Sequence, residues 1–146
     1  MSIEDDVALL DRVPTLHLLG TAALRMLAIG SEQRDYSNGD YLFNAGDEAD
    51  AGYIVRRGAI RVEDGDAEVI AGPGSLIGEL ALIVAMRRPS SAVAIEHSTV
   101  IRVARSLFQR VLESDPAAAR RLRDELATRT SQLASDILMA GAKLSI

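Results

Sequence analysis

Turn residues recur at short intervals through the middle of the chain, and this spacing constrains the fold more than any other feature. Clusters rich in glycine, asparagine, aspartate and proline lie at 37–40, 45–47, 63–66 and 72–74. Regular short strands separated by such turns are typical of a β-sandwich or barrel, and Asp64-Gly65 favours a hairpin turn. The short apolar runs between the turns are Tyr41-Leu42-Phe43, Tyr53-Ile54-Val55, Ala59-Ile60-Arg61-Val62, Glu68-Val69-Ile70 and Thr99-Val100-Ile101-Arg102-Val103.

The first 30 residues have a different pattern, in which apolar residues recur at helical intervals. The pattern is interrupted at Pro14 and Gly20. We predict two short helices here, the second starting near Thr21. The apolar residues are Leu9, Leu10, Val13, Leu16, Leu19, Leu24, Leu27 and Ala28.

The chain returns to a helical pattern after Ala104. Ser106 is predicted to cap one helix, and Asp115 to cap another with Pro116 at its first position, where proline costs least. This last helix is predicted to run to Ala140 and to end at Gly141. Its apolar stripe predicts contact with the core or with a second copy, and the stripe consists of Leu122, Leu126, Leu133 and Ile137.

The three patterns together predict an α+β fold in a single domain, residues 1–146. N-terminal helices occupy 1–31, a β barrel occupies 32–104, and C-terminal helices occupy 105–146. A length of 146 residues fits one domain, and 48% hydrophobic residues are enough for a real core.

Composition narrows the functional classes. The chain has no cysteine, which fits a reducing cytosol, and its acidic N-terminus lacks the order of a signal peptide. No apolar run reaches the roughly 18 residues of a membrane span. The net charge of −5 disfavours broad nucleic-acid binding. His17 and His97 have no metal-ligand neighbours, so a metal-dependent barrel enzyme is disfavoured. We expect a cytoplasmic protein that binds neither membrane nor nucleic acid.

The candidate site lies between a glycine turn and an arginine. Gly78 precedes Glu79, Leu80 and Ala81, and Arg88 follows ten positions after the glycine. Orphan N–H groups at a helix start attract an anion, and Arg binds phosphate through paired donors. A carboxylate accepts a hydrogen bond from a sugar hydroxyl. This inventory suits a small ligand that carries both a phosphate and a ribose.

In this context, residues 72–94 strongly resemble the phosphate-binding cassette of cyclic nucleotide-binding domains. That family includes domains of protein-kinase regulatory subunits, cyclic-nucleotide-gated channels and the catabolite activator family. Two further segments, 39–50 and 53–58, resemble family strands with their Gly-Asp turn and glycine, and the resemblance spans roughly residues 9 to 130. The matching cassette residues are Gly78, Glu79, Leu80, Ala81, Arg88, Ser90, Ser91 and Ala94.

The resemblance implies a β jelly roll with a short phosphate-binding helix inside the barrel, in a cassette at 76–94. It also implies that Arg88 pairs with the cyclic phosphate and Glu79 with the ribose 2′-hydroxyl. The backbone N–H groups of Leu80 and Ala81 would face the phosphate as well. No cofactor is expected beyond the cyclic nucleotide ligand.

Pro89 departs from the family pattern. The residue after the arginine often contributes an N–H or a hydroxyl, and proline has no N–H. Either this contact is missing, or Ser90 or Ser91 takes it over. A threonine near this place favours guanine in some relatives, so Pro89 favours cyclic AMP over cyclic GMP.

The leading hypothesis is a regulatory sensor that is not an enzyme and that signals through movement of its C-terminal helices. After Ala140 only six residues remain, so we expect output through an unknown effector protein or self-association. The alternative is an interaction module that kept the fold but lost the ligand. In that case Glu79 and Arg88 would form a structural ion pair. A further possibility is that Leu122 or Leu126 forms a lid over the base.

Overall fold

The computed structural model describes residues 2–64 and 66–128. It begins with three helices, α1 (Ile3–Asp11), α2 (Pro14–His17) and α3 (Thr21–Gly30). The prediction of two helices is wrong, because Pro14 starts a one-turn helix of its own at the position where its missing N–H costs nothing. The last of the three does start at Thr21, as predicted.

The strands form two antiparallel sheets and one short pair. The sheets have the strand orders β1-β10-β4-β7 and β2-β9-β5-β6, and β3 pairs with β8. This confirms the predicted α+β fold with a jelly-roll arrangement of strands. The strands are β1 (Glu32–Tyr36), β2 (Tyr41–Phe43), β3 (Glu48–Ala49), β4 (Ala51–Arg57), β5 (Ile60–Asp64), β6 (Ala67–Ala71), β7 (Leu76–Ile77), β8 (Met86–Arg87), β9 (Ser91–Ala94) and β10 (Ser98–Ala104).

The predicted hairpin is present between β5 and β6, which pair from Ile60↔Ala71 to Asp64↔Ala67. Gly65 of the predicted turn lies outside the described residues. The expected division into 1–31, 32–104 and 105–146 stays a prediction.

The core consists of two apolar clusters. The barrel cluster joins the two sheets through residues such as Tyr53, Ile60 and Val100. The helical cluster packs α1, α2, α3 and the helix after the barrel, α4 (Arg105–Ser114), against β4 and β10, and Leu16 and Phe108 are buried within it. The N-terminal helices are therefore part of one packed unit with the barrel.

Two helices follow the barrel, α4 (Arg105–Ser114) and a helical stretch at 116–128, which we call α5. The prediction that Ser106 caps α4 is wrong. The N-cap is Ala104, whose side chain makes no capping bond, and the Arg105 N–H donates to Asp50 O at 2.8 Å. Tertiary contact therefore replaces the side-chain cap.

Asp115 caps α5 as predicted, because its Oδ1 accepts from the Ala118 N–H at 3.1 Å. The remainder of the predicted helix, including Leu133, Ile137, Ala140 and Gly141, lies outside the described residues. Within the ranges that are described, no helix combines the length and apolar character needed to cross a bilayer.

Candidate functional site

A cavity of about 230 Å³, which we call the inner cavity, lies where β7 ends and β9 begins. The 3₁₀ turn Glu79–Leu82, the cassette turn, forms part of its wall. The eight residues predicted to bind ligand are Gly78, Glu79, Leu80, Ala81, Arg88, Pro89, Ser90 and Ser91, and all of them except Ser91 line it. The lining consists of Phe43, Val62, Ile77, Gly78, Glu79, Leu80, Ala81, Met86, Arg88, Pro89 and Ser90.

Arg88 is a buried cation, with only 5% of its surface exposed. Its guanidinium stacks on the Phe43 ring at 4.0 Å, and Nη2 donates to Ala51 O at 2.8 Å. Its Nε is buried without a hydrogen-bond partner, and none of the ion pairs among the described residues includes it. Desolvation lowers the pKa of the Arg88 guanidinium. A bound anion would relieve this cost.

Gly78 leaves room for this cation. Its φ is +78°, in the left-handed region that favours glycine. A Cβ at this position would lie 2.6 Å from Arg88 Nη1. Only glycine therefore permits both the backbone turn and the position of the guanidinium.

Glu79 is half-buried at the start of the cassette turn. Its Oε1 accepts a hydrogen bond of 2.7 Å from the hydroxyl of Thr15, which lies on α2 and is 64 residues away in sequence. The alternative of a Glu79–Arg88 ion pair finds no support among the described ion pairs.

Part of the backbone of the cassette turn is already hydrogen-bonded within the protein. The Ala81 N–H donates to Gly78 O at 3.1 Å, so a phosphate that accepts from Ala81 would share or replace this bond. The Leu80 side chain is 55% exposed beside the cavity. It therefore adds exposed apolar surface to the lining of this cavity.

The residues after Arg88 differ in their positions. Pro89 is exposed and Ser90 is buried, and both line the inner cavity. Ser91 does not line it, and its hydroxyl accepts from the Ala45 N–H at 2.8 Å. Of the two serines, Ser90 is therefore the one that lines the inner cavity beside Pro89.

Sequence reasoning missed four lining residues and one supporting residue. Phe43, Val62, Ile77 and Met86 belong to strands that were predicted only as structure, or not predicted at all. Phe43 had a usable signal, because phenylalanine occurs only twice in the chain. Thr15 had no signal in the sequence, since its hydrogen bond to Glu79 forms only when α2 packs against the barrel.

A second cavity of about 410 Å³, the outer groove, lies between the cassette turn and helices α4 and α5. Leu122 and Leu126 line this groove and not the inner cavity. Leu122 is 3% exposed and belongs to the helical cluster. Its position supports the core role of the stripe, and a lid role remains an untested prediction.

Metal ligands are not gathered anywhere in the described part of the chain. Residues 2–64 and 66–128 contain no group of three or more His, Asp or Glu side chains placed to hold a metal ion. His17 Nδ1 lies 2.8 Å from Asp11 Oδ1 on the protein surface.

Known proteins resemble this chain over its barrel. Residues 33–115 match the family described as "Cyclic nucleotide-binding domain". A solved structure of a cyclic nucleotide-binding-like protein from Brucella abortus is 38% identical, with a TM-score of 0.66, over 75% of this chain and 98% of that one.

Two curated relatives are much longer proteins. The cAMP-dependent protein kinase regulatory subunit of Eremothecium gossypii is 36% identical over 103 residues, 69% of this chain and 22% of the relative. The lysophospholipase NTE1 of Phaeosphaeria nodorum is 28% identical over 143 residues, 94% of this chain and 10% of the relative. The chain thus spans less than a quarter of the length of either protein.

Proposed function

Because the chain belongs to the cyclic nucleotide-binding domain family, we propose that it is a regulatory sensor without catalytic activity that binds a cyclic nucleotide. One observation carries the proposal, the unpaired cation in the wall of the inner cavity. Arg88 is buried, lacks an ionic partner among the described residues and has an unsatisfied Nε. Buried charges are normally paired, and a cyclic phosphodiester supplies one negative charge and the acceptor oxygens.

The other polar groups complete the proposed recognition. Glu79 accepts from the ribose 2′-hydroxyl, while the N–H groups of Leu80 and Ala81 face the phosphate. For Ala81 this requires exchange of its bond to Gly78 O. The Ser90 hydroxyl is the compensating donor beside Pro89.

The base preference we propose is cyclic AMP over cyclic GMP. Pro89 has no hydroxyl for guanine, and Ser90 supplies the one hydroxyl among the residues that line the inner cavity. Val62, Ile77 and Met86 are apolar. Guanine carries a carbonyl, an N1–H and an amino group on its Watson–Crick edge, where adenine carries one amino group and a ring nitrogen. An apolar wall therefore leaves more polar groups of guanine unpaired, which carries a larger desolvation cost.

The proposed signal passes through Arg105, the first residue of α4. Its Nη1 donates to Ala81 O, in the cassette turn, at 3.2 Å and to Val84 O, two residues after that turn, at 3.1 Å. The same nitrogen donates to Ala49 O at 2.8 Å. A ligand that draws in the cassette turn therefore acts on the start of α4. Such a relay requires that the ligand bind one helix position more tightly than the other.

Isothermal titration with cyclic AMP and cyclic GMP tests the proposed binding. We expect heat with both and tighter binding of cyclic AMP. Arg88→Ala should weaken binding by about 2–5 kcal/mol, because the ligand anion is left desolvated and unpaired. Arg87→Ala is the matched control, since Arg87 is exposed, its Nη1 donates to Gly46 O, and it does not line the inner cavity. Equal loss in both variants would contradict the role of Arg88.

The relay is tested by the amide chemical shifts of α4 on addition of cyclic AMP. We expect shifts along α4 in the wild-type protein and loss of them in Arg105→Met, with binding retained. Shifts that persist in Arg105→Met would show that the signal takes another route.

A second candidate function is an interaction module without a ligand. Pro89 favours it, as does the Ala81 N–H that is already bonded. No heat with either nucleotide at high micromolar concentration would support this candidate and remove the sensor. In either case the proposed partner is an unknown effector or a second copy bound through the C-terminal helices. Light scattering with and without ligand would detect the second copy. The cysteine-free sequence supports a cytoplasmic location.

A further inference from the structure

We propose that Thr15, on the N-terminal helix α2, is a positioning residue that sets the selectivity of the site for a ribose 2′-hydroxyl. This inference rests on the proposed function. The Thr15 hydroxyl donates to Glu79 Oε1 at 2.7 Å. The family match begins at residue 33 and so does not include Thr15. The selectivity of the site then depends on a segment outside the matched domain.

Thr15 is buried in a packed part of the protein. It is 4% exposed, and the neighbouring residues Val13 and Leu16 are 3% and 0% exposed. Both neighbours belong to the helical cluster. A hydroxyl on this short helix therefore has a defined position relative to the barrel.

The bond presets the Glu79 carboxylate for a ligand. A glutamate side chain loses rotamer freedom when it is ordered, and that cost is removed from binding if Thr15 has already ordered it. A carboxylate has about four lone-pair sites, so accepting from Thr15 leaves capacity for a ligand hydroxyl. Thr15 thus acts on the ribose contact through Glu79 and does not itself line the inner cavity.

The test compares cyclic AMP with 2′-deoxy cyclic AMP, which lacks the hydroxyl that Glu79 would accept. We expect Thr15→Val to raise the Kd for cyclic AMP about tenfold and to leave the Kd for the 2′-deoxy ligand within about twofold. Thr15→Ser, which keeps the hydroxyl, should restore wild-type selectivity. Thr21→Val is the matched control, because Thr21 is exposed at the start of α3.

The outcomes separate the possibilities. Equal weakening of both ligands in Thr15→Val would assign Thr15 a purely structural role and overturn the proposal, as would no weakening of either. If the wild-type protein binds neither ligand, the proposed function fails and the ligand role of Thr15 fails with it.

A ligand-free measurement tests the contact itself. Urea unfolding of Thr15→Val, Glu79→Ala and the double variant should show non-additive changes in the free energy of unfolding. Additive changes would show that the two side chains are not coupled, and would overturn the proposal whether or not the ligand measurements succeed.

Discussion

The inner cavity and the outer groove share the cassette turn as a wall but differ in character. The inner cavity, about 230 Å³, contains the buried Arg88 and the carboxylate of Glu79. The outer groove, about 410 Å³, is lined mainly by apolar residues of α4 and α5, together with Leu82 and Ile83. Successive residues of one short turn therefore line the inner cavity on one side and pack against helices on the other.

The largest effect should come from Leu82→Ala. Leu82 is 1% exposed in the helical cluster, and a leucine deletion in a core costs about 2–5 kcal/mol of unfolding free energy. Leu80 lies two residues earlier, lines the inner cavity and is 55% exposed, so Leu80→Ala should change stability by less than about 0.5 kcal/mol. Urea unfolding measures both. Similar costs would break the distinction between the two sides of the turn.

The second effect concerns Gly78→Ala. We expect a loss of about 2–4 kcal/mol, because the positive φ is unfavourable for alanine and the new Cβ contacts Arg88 Nη1. Gly39→Ala separates the two causes. Gly39 has φ +94° and no heavy atom near a Cβ, so it should lose only about 1–2 kcal/mol. If thermal and urea unfolding show equal losses, the contact with Arg88 contributes nothing.

The smallest effect concerns the helix that lines the outer groove. Asp115→Ala should cost about 1 kcal/mol, because the bond to the Ala118 N–H is lost. Ser106→Ala should cost less than about 0.5 kcal/mol, since Ser106 is exposed and does not cap α4. The free energy of unfolding of each variant tests this. A larger loss of unfolding free energy for Ser106→Ala than for Asp115→Ala would contradict the conclusion that Ser106 does not cap α4.

Local sequence signals predicted the start of a helix correctly where neighbouring residues alone determine that start. Asp115 followed by Pro116 is a complete start signal for a helix, and the structure confirms it. Ser106 has the right chemistry for a cap, but β10 runs directly into α4 and the bond between Arg105 and Asp50 takes the role. In sequence, Pro14 indicates a break between two helices. Proline is equally suited to the first position of a helix, and in the structure Pro14 begins α2.

The site was predictable in part for the same reason. Gly78, Glu79 and Arg88 lie within one short segment, so the sequence predicts that they belong to one site. Ser91 was indistinguishable from Ser90 in sequence, since only the register of β9 decides which of them lines the cavity. Phe43 reaches Arg88 from another strand.

The sequence by itself determined that helices precede and follow a region of short strands, and it determined the glycine turn and the chemical inventory of the cassette. These depend on periodicity, turn propensity and residue type, which are local properties. The tertiary structure alone decided that Arg88 is buried against Phe43 and that Thr15 bonds Glu79 across 64 residues. The reason is that burial and long-range hydrogen bonds exist only after the sheets and helices have packed, and no local pattern records them.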